Sequence, residues 1–261
     1  MTSTEIKPAP ILEIQDLSIT VRTGTKILDS FSWTFERGKI YSLIGESGSG
    51  KTSFAFSLFG ILPRLSKIDY SKFDIGGTDW KVWEQRDWLN LRGKKIAMIP
   101  QNPNLAFHPY RTLGDQLIEF FAITNNDYAK PDRIIEILEN FGLRSPEQAF
   151  DSLPSRLSGG EKQRICIAMV HFSGAEIIVA DEPTTALDPI QTKKIMQLLL
   201  RPVKEENRTL ILITHNLKLM NKIADEVMVI KNGKMVEKNI RSYGEIFSFK
   251  SEYAQMLMEN I

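Results

Sequence analysis

This 261-residue chain predicts an α/β fold with a parallel core sheet, an antiparallel β section ahead of it and a helical section inserted within it. Three observations lead there. Residues 11–21 alternate apolar and polar (Leu12, Ile14, Leu17, Ile19, Val21) and Ser32–Phe35 alternates again, the period of half-buried strands in antiparallel sheet. Lys39–Ile44 is a short apolar strand that runs directly into a glycine-rich turn and the helix-favouring Lys51–Phe59. Ile177–Ala180 and Leu210–Ile213 are buried strands separated by a helical stretch with Ile195, Leu198 and Leu199 on one face, and strand, helix, strand in that order implies parallel pairing.

The other elements follow in chain order. Residues 1–10 have neither the basic start nor the apolar stretch of a secretion signal and read as a disordered tail. Trp80, Trp83 and Trp88 read as buried anchors of a small lobe. From Asp132, Ile134, Ile137, Leu138 and Phe141 recur at helical spacing and stop at Gly142, a residue suited to the left-handed position after a helix, and the middle of the chain reads as mostly helical, a helical section being expected over approximately 102–170. Val227–Ile230 and Met235–Val236 flank Asn232-Gly233, the dipeptide that best accepts the positive φ angles of a type I′ hairpin. The main domain is expected over 11–245, with 246–261 as a short C-terminal tail.

Composition excludes several classes. Apolar residues make up 42% and charged residues 25%, values of a chain that folds by burial and not of a disordered, collagen-like or disulfide-stapled one. Lys and Arg number 33 against 32 Asp and Glu, and a net charge of +1 provides no global field to draw the chain onto nucleic acid. Cys166 is the single cysteine, which fits a reducing compartment, and its place between Ile165 and Ile167 reads as packing. The richest apolar window, Phe54–Leu62, contains Ser57 and Gly60 and falls short of the about 20 residues a membrane-spanning helix needs.

Chemistry concentrates in three places. Gly45-Glu46-Ser47-Gly48-Ser49-Gly50-Lys51-Thr52 meets G-x-x-x-x-G-K-[ST] at every required position, between a buried strand and a helix. Glycines there let successive backbone N–H groups turn inward around phosphate oxygens, and the helix start adds partial positive charge. Lys51 is expected to reach the β- and γ-phosphates of ATP, and Thr52 to ligate Mg²⁺. Asp181-Glu182-Pro183 places two acids at the C-terminal end of a parallel strand, where α/β sheets bind their ligands. Asp181 would hold Mg²⁺ through water and Glu182 would polarise the attacking water. Leu157-Ser158-Gly159-Gly160-Glu161 contains the S-x-x-E capping box, yet a cap does not require two glycines, each about 1 kcal/mol less favourable than Ala in a helix. Exposed N–H groups explain them. Because the phosphate loop already surrounds its own nucleotide, this second anion site is expected to serve a γ-phosphate held by another subunit.

With these motifs in this order, and Leu157–Arg164 as signature, the chain resembles an ATP-binding-cassette (ABC) ATPase over nearly its whole length. The resemblance implies a glutamine that senses Mg²⁺ and the transport domain at Gln101, after Ala97-Met98-Ile99-Pro100, and a switch histidine that meets the γ-phosphate at His215. It also implies that Ala186-Leu187-Asp188 touches the opposite subunit, while Asp188 read alone is a helix N-cap followed by Pro189. Leu91–Pro103 and Ala180–Asp188 are similar to the ATPases of the peptide and nickel importer group. That likeness implies a second, non-identical ABC ATPase, two integral membrane permeases and an extracytoplasmic substrate-binding protein, with this chain peripheral on the cytoplasmic face of the inner or plasma membrane. A soluble ABC scaffold using ATP-driven dimerisation for assembly is the alternative. Phe107-His108-Pro109 departs from the usual Leu-Asn-Pro, and Glu161-Lys162 from Met-Arg. Val21 stands where an aromatic usually stacks on adenine, so ATP and GTP are expected to bind within about tenfold of each other. The end at Ile261, without the cysteine-containing extension of many peptide-importer ATPases, points to the shorter nickel or metal-chelate members.

Overall fold

The computed structural model describes residues 9–80, 84–184, 189–241 and 247–259. The chain divides into two units, Met1–Arg86 with His215–Ile261, and Asp87–Thr214.

The first unit opens with β1 (Leu12–Thr20) and β2 (Lys26–Phe35), an antiparallel pair in register Leu12↔Phe35 and Ile14↔Trp33. Leu12, Ile14, Leu17, Ile19, Leu28, Phe31 and Phe35 are all buried, so the alternation does mark a core face. β2 starts at Lys26 and not Ser32, because the period of two is interrupted: the register shifts along the pair, and Asp16 and Ser30 adopt positive φ of 55° and 53°. β3 (Ile40–Ile44), buried throughout, leads through the glycine-rich loop into α1 (Lys51–Leu58). Three strands not foreseen follow, β4 (Lys67–Asp69), β5 (Lys72–Ile75) and β6 (Thr78–Asp79), in a sheet where β4 and β5 both pair with β1. They are too short to display a period. Trp80 is only half-buried, stacked on Phe73 with ring centroids 5.5 Å apart. Trp88 belongs to the second unit, with the Arg92 guanidinium 5.0 Å from its ring, and Trp83 lies outside the described residues. Trp80 and Trp88 therefore do not anchor one lobe.

α2 (Gln85–Leu91) spans the point in the sequence where the units divide. The second unit then runs β7 (Ile96–Ile99), α3 (Leu113–Thr124), α4 (Pro131–Asn140), α5 (Pro146–Asp151), α6 (Gly159–Ser173), β8 (Ile177–Asp181), α7 (Pro189–Glu206) and β9 (Thr209–Ile213). β8 lies between β7 and β9 and is parallel to both, with Ala97↔Ile178 and Ile178↔Leu210 in register. Ile134, Ile137 and Leu138 of α4 are buried as their spacing requires, and Gly142 has φ 81°.

The chain returns to the first unit with α8 (Leu217–Ile223), β10 (Glu226–Lys231), β11 (Lys234–Ile240) and α9 (Glu252–Glu259). β10 is parallel to β3 and antiparallel to β11, turning at Asn232 and Gly233 with φ 48° and 78°, the I′ geometry. Residues 247–259 are no loose tail: Phe247, Phe249, Tyr253 and Ala254 pack with Ile44, Leu217, Met220, Val227 and Val229. The apolar positions pass from an extended pair to helical spacing within seven residues, so neither period stands out in the sequence. Among the described residues no helix is long and apolar enough to cross a membrane.

Candidate nucleotide-binding and hydrolysis site

In the first unit, β3 delivers the chain to Gly45, where φ is 152° and a Cβ would lie 2.1 Å from the Ile230 carbonyl oxygen. Gly50, at φ 106°, caps α1 and would bring a Cβ within 2.3 Å of the Ile27 oxygen. Both positions are glycine because backbone from β10 and β2 closes on the loop from behind. The Gly233 N–H also donates to the Ser49 oxygen at 3.0 Å. Inside this clamp Lys51, 8% exposed, turns its ammonium back on the loop and donates to Gly45 O at 2.8 Å, Glu46 O at 2.7 Å and Ser49 Oγ at 3.4 Å. A buried positive charge at a helix N-terminus is suited to phosphate oxygens. Thr52 follows, exposed, in the first turn of α1. The Glu46 N–H is engaged elsewhere, donating to Tyr253 Oη at 3.0 Å. His215 belongs to the same unit, exposed just ahead of α8, where Asn216 Oδ1 caps the helix by accepting from Leu219 N at 2.9 Å. Val21 begins the β1–β2 turn, its N–H donating to Thr25 O at 3.0 Å.

The second unit holds the acids. Asp181 ends β8 at 3% exposure. Glu182, half-buried, adopts φ 48° while its N–H donates to Ile213 O at 2.9 Å, continuing the pairing of β8 with β9. A glutamate in the left-handed region costs about 1–3 kcal/mol and persists only where its surroundings over-determine it. One such restraint is Gln163, buried on α6, whose Nε2 donates to Pro183 O at 3.2 Å. Neither the strain nor this restraint was read from the sequence, although Gln163 stands inside the signature. Gln101 is exposed in the bend after β7, and the segment behind it is tied to α6 by Lys162 Nζ donating to Asn104 Oδ1 at 2.6 Å.

The capping box forms in full at the start of α6. Ser158 Oγ accepts from Glu161 N at 3.3 Å, and the Glu161 carboxylate accepts from Ser158 N at 2.9 Å and from Ser158 Oγ at 2.7 Å. Those bonds, the hydroxyl's first and the backbone's second, hold the Glu161 carboxyl below its ordinary pKa. A Cβ on Gly159 would meet nothing within 4 Å, and one on Gly160 only Arg164 Nη1 at 3.8 Å. Cys166 is a packing residue, its thiol pushed up to about 12 by burial. Gly45, Glu46, Ser47, Gly48, Ser49, Gly50, Lys51, Thr52 and His215 thus belong to one unit, and Gln101, Ser158, Gly159, Gly160, Asp181 and Glu182 to the other. Asp188, with Ala186 and Leu187, lies outside the described residues.

The sequence profile of the family described as ABC transporter matches residues 28–185. The chain is 33% identical over 257 residues to the dipeptide transport ATP-binding protein DppD of Haemophilus influenzae, covering 96% of this chain and 77% of that one. It is 34% identical over 260 residues to the oligopeptide transport ATP-binding protein OppD of Lactococcus lactis subsp. lactis, covering 96% and 75%. Against the uncharacterized ABC transporter ATP-binding protein YejF of Escherichia coli it is 37% identical over 236 residues, covering 88% of this chain and 44% of that one. In fold it is similar to the dimeric ATP-binding cassette MJ0796 in a post-hydrolysis state bound to ADP and Pi, with TM-score 0.76 and 23% identity over 89% of this chain and 100% of that one. A glycine-clamped phosphate loop, an acidic strand end and a capped signature helix, within a chain that these comparisons match across nearly its full length, show that it belongs to the ABC transporter family as an ATP-hydrolysing subunit.

Proposed function

We propose that this chain drives a peptide importer, hydrolysing ATP in a pair with a second, non-identical ABC ATPase beneath two permeases that an extracytoplasmic binding protein supplies. The observation that carries the ATP chemistry is the Lys51 ammonium, buried within the loop and anchored on the loop's own oxygens. Peptide is preferred over nickel or a metal chelate as cargo because DppD and OppD bear dipeptide and oligopeptide transport names. The chain works at the cytoplasmic face of the membrane, held there by the permeases.

Thr52, Gln101 and Asp181 offer a hydroxyl, an amide carbonyl and a carboxylate, the hard oxygen donors that Mg²⁺ takes, so the donor set fits this ion. When bound, Mg²⁺ neutralises charge on the β- and γ-phosphates. The chain's own residues do the rest. Lys51 binds the same phosphates, Glu182 polarises the attacking water, and His215 meets the γ-phosphate. Ser158, Gly159 and Gly160, with Asp188, serve the nucleotide on the partner ATPase. Open space around both signature glycines supports this role, since nothing within 3.5 Å of their ideal Cβ positions demands glycine.

Affinity purification of the tagged chain from detergent-solubilised membranes tests the assignment. It should recover a second ATPase and two integral permeases, and proteoliposomes of that complex with its binding protein should take up labelled dipeptide only with ATP and Mg²⁺. Recovery of the chain with no integral membrane protein refutes transport. Uptake of a nickel chelate and not of peptide reassigns the cargo.

A further inference from the structure

We propose that Tyr253 is a positioning residue for nucleotide binding: through the Gly45–Glu46 peptide it sets where the Lys51 ammonium sits, which makes the C-terminal helix a determinant of nucleotide affinity. This deepens the ATPase reading and rests on it.

The helix is pinned at its start. Glu237 of β11 accepts from Lys250 N at 2.8 Å, Ser251 N at 2.9 Å and Ser251 Oγ at 2.5 Å, and Ser251 Oγ accepts in turn from Ala254 N at 3.2 Å. So held, Tyr253 is 7% exposed, its ring within the apolar cluster of Ile44, Leu217 and Phe249 and with Lys231 Nζ 4.5 Å from the ring centroid. Its hydroxyl reaches out of that cluster to the Glu46 N–H at 3.0 Å. The peptide joining Gly45 to Glu46 is planar and trans, so its N–H and its C=O point in opposite directions. The N–H goes to Tyr253, and the C=O of the same plane accepts from Lys51 Nζ at 2.8 Å. Rotating this plane moves both bonds at once. Gly45 has no Cβ to resist that rotation, and Tyr253 supplies the resistance from outside the loop.

The test is titration of the purified full chain with fluorescent ATP and ADP analogues. Tyr253→Phe keeps the ring and removes the hydroxyl, and it should weaken both nucleotides about threefold to tenfold, the usual worth of one hydrogen bond. Glu46→Pro removes the same bond from the donor side, since proline has no N–H. In the Glu46→Pro background Tyr253→Phe should change affinity no further. Phe249→Leu, which loosens the same cluster without touching the loop, should leave affinity within twofold of wild type (about 0.4 kcal/mol). Wild-type affinity in Tyr253→Phe, additive losses in the double variant, or an equal loss in Phe249→Leu each overturn the proposal. Lys51→Ala is the separate control: if it binds nucleotide as tightly as wild type, the nucleotide-site reading itself falls.

Discussion

Glu182 combines two features that a solvated strand end has no reason to combine, a carboxylate beside the buried Asp181 and a backbone at φ 48°. Glu182→Gln keeps the shape and the strain and removes the proposed base, so it should retain ATP affinity while steady-state phosphate release falls by about 100-fold or more. An unchanged rate refutes the role. Gln163 acts on the same turn from behind. Gln163→Leu leaves the Pro183 carbonyl without that donor, at a cost of about 1–3 kcal/mol of stability, and should lower kcat while KM for ATP stays put. A variant that loses stability with kcat intact shows that Gln163 only supports the fold. The residues proposed to bear the chemistry stand out in the sequence because each motif packs them closely along the chain: Lys51 and Thr52 side by side, Ser158 three residues before Glu161. Their supports were not. Gln163 meets Pro183 across 20 residues of sequence and Tyr253 meets Glu46 across 207, and no local pattern encodes such a pairing.

Among the elements, the start of α6 sets stability against function. Gly159 lies in the first turn of a capped helix with nothing within 4 Å of its missing Cβ, so Gly159→Ala should stabilise the chain by up to about 1 kcal/mol. If this turn approaches a partner's nucleotide, the added methyl should at the same time reduce hydrolysis by the assembled complex. A stabilised chain with full complex activity would show that the glycine serves no ligand. The link from β11 to α9 responds to pH. Burial alone would raise the Glu237 carboxyl, but the Ser251 hydroxyl and the Lys250 and Ser251 N–H groups outweigh it and bring the pKa below its ordinary 4.5. A group lowered on folding adds stability above its unfolded pKa and loses it as the pH falls through the folded value. Glu237→Gln should therefore lower the urea midpoint at pH 7, and its gap to wild type should close under acid. A gap independent of pH would contradict this. Elements with a full helical period or a continuous apolar run, such as α4 and β8, were legible; β4 to β6 were not, since two to four residues display no period and pairing alone makes them strands, β4 and β5 on β1 and β6 on β5.

At the scale of the molecule, the chain carries one phosphate loop, in its first unit, and one signature helix start, in its second. Two closed sites of the proposed kind take two loops and two signature starts, so a pair of ATPases completes both, and with non-identical partners the two sites can be disabled separately. Ser158→Arg in this chain puts a long cation where the partner's γ-phosphate would approach, and it also removes the cap of α6. It should leave photo-crosslinking of labelled ATP to this chain intact, because Lys51 and its loop are untouched, while hydrolysis by the reconstituted complex falls. Ser158→Asp keeps a capping oxygen, although it sets a carboxylate against that of Glu161, and it opposes the phosphate with negative charge, so it should lower the melting temperature less than Ser158→Arg and still depress hydrolysis. Loss of label from this chain in either variant sinks the in-trans role of Ser158. Full hydrolysis by the Asp variant would show that Ser158 only caps its helix. A purified membrane complex with two copies of this chain and no second ATPase would sink the non-identical pairing, and the Ser158 variants would then disable both sites at once.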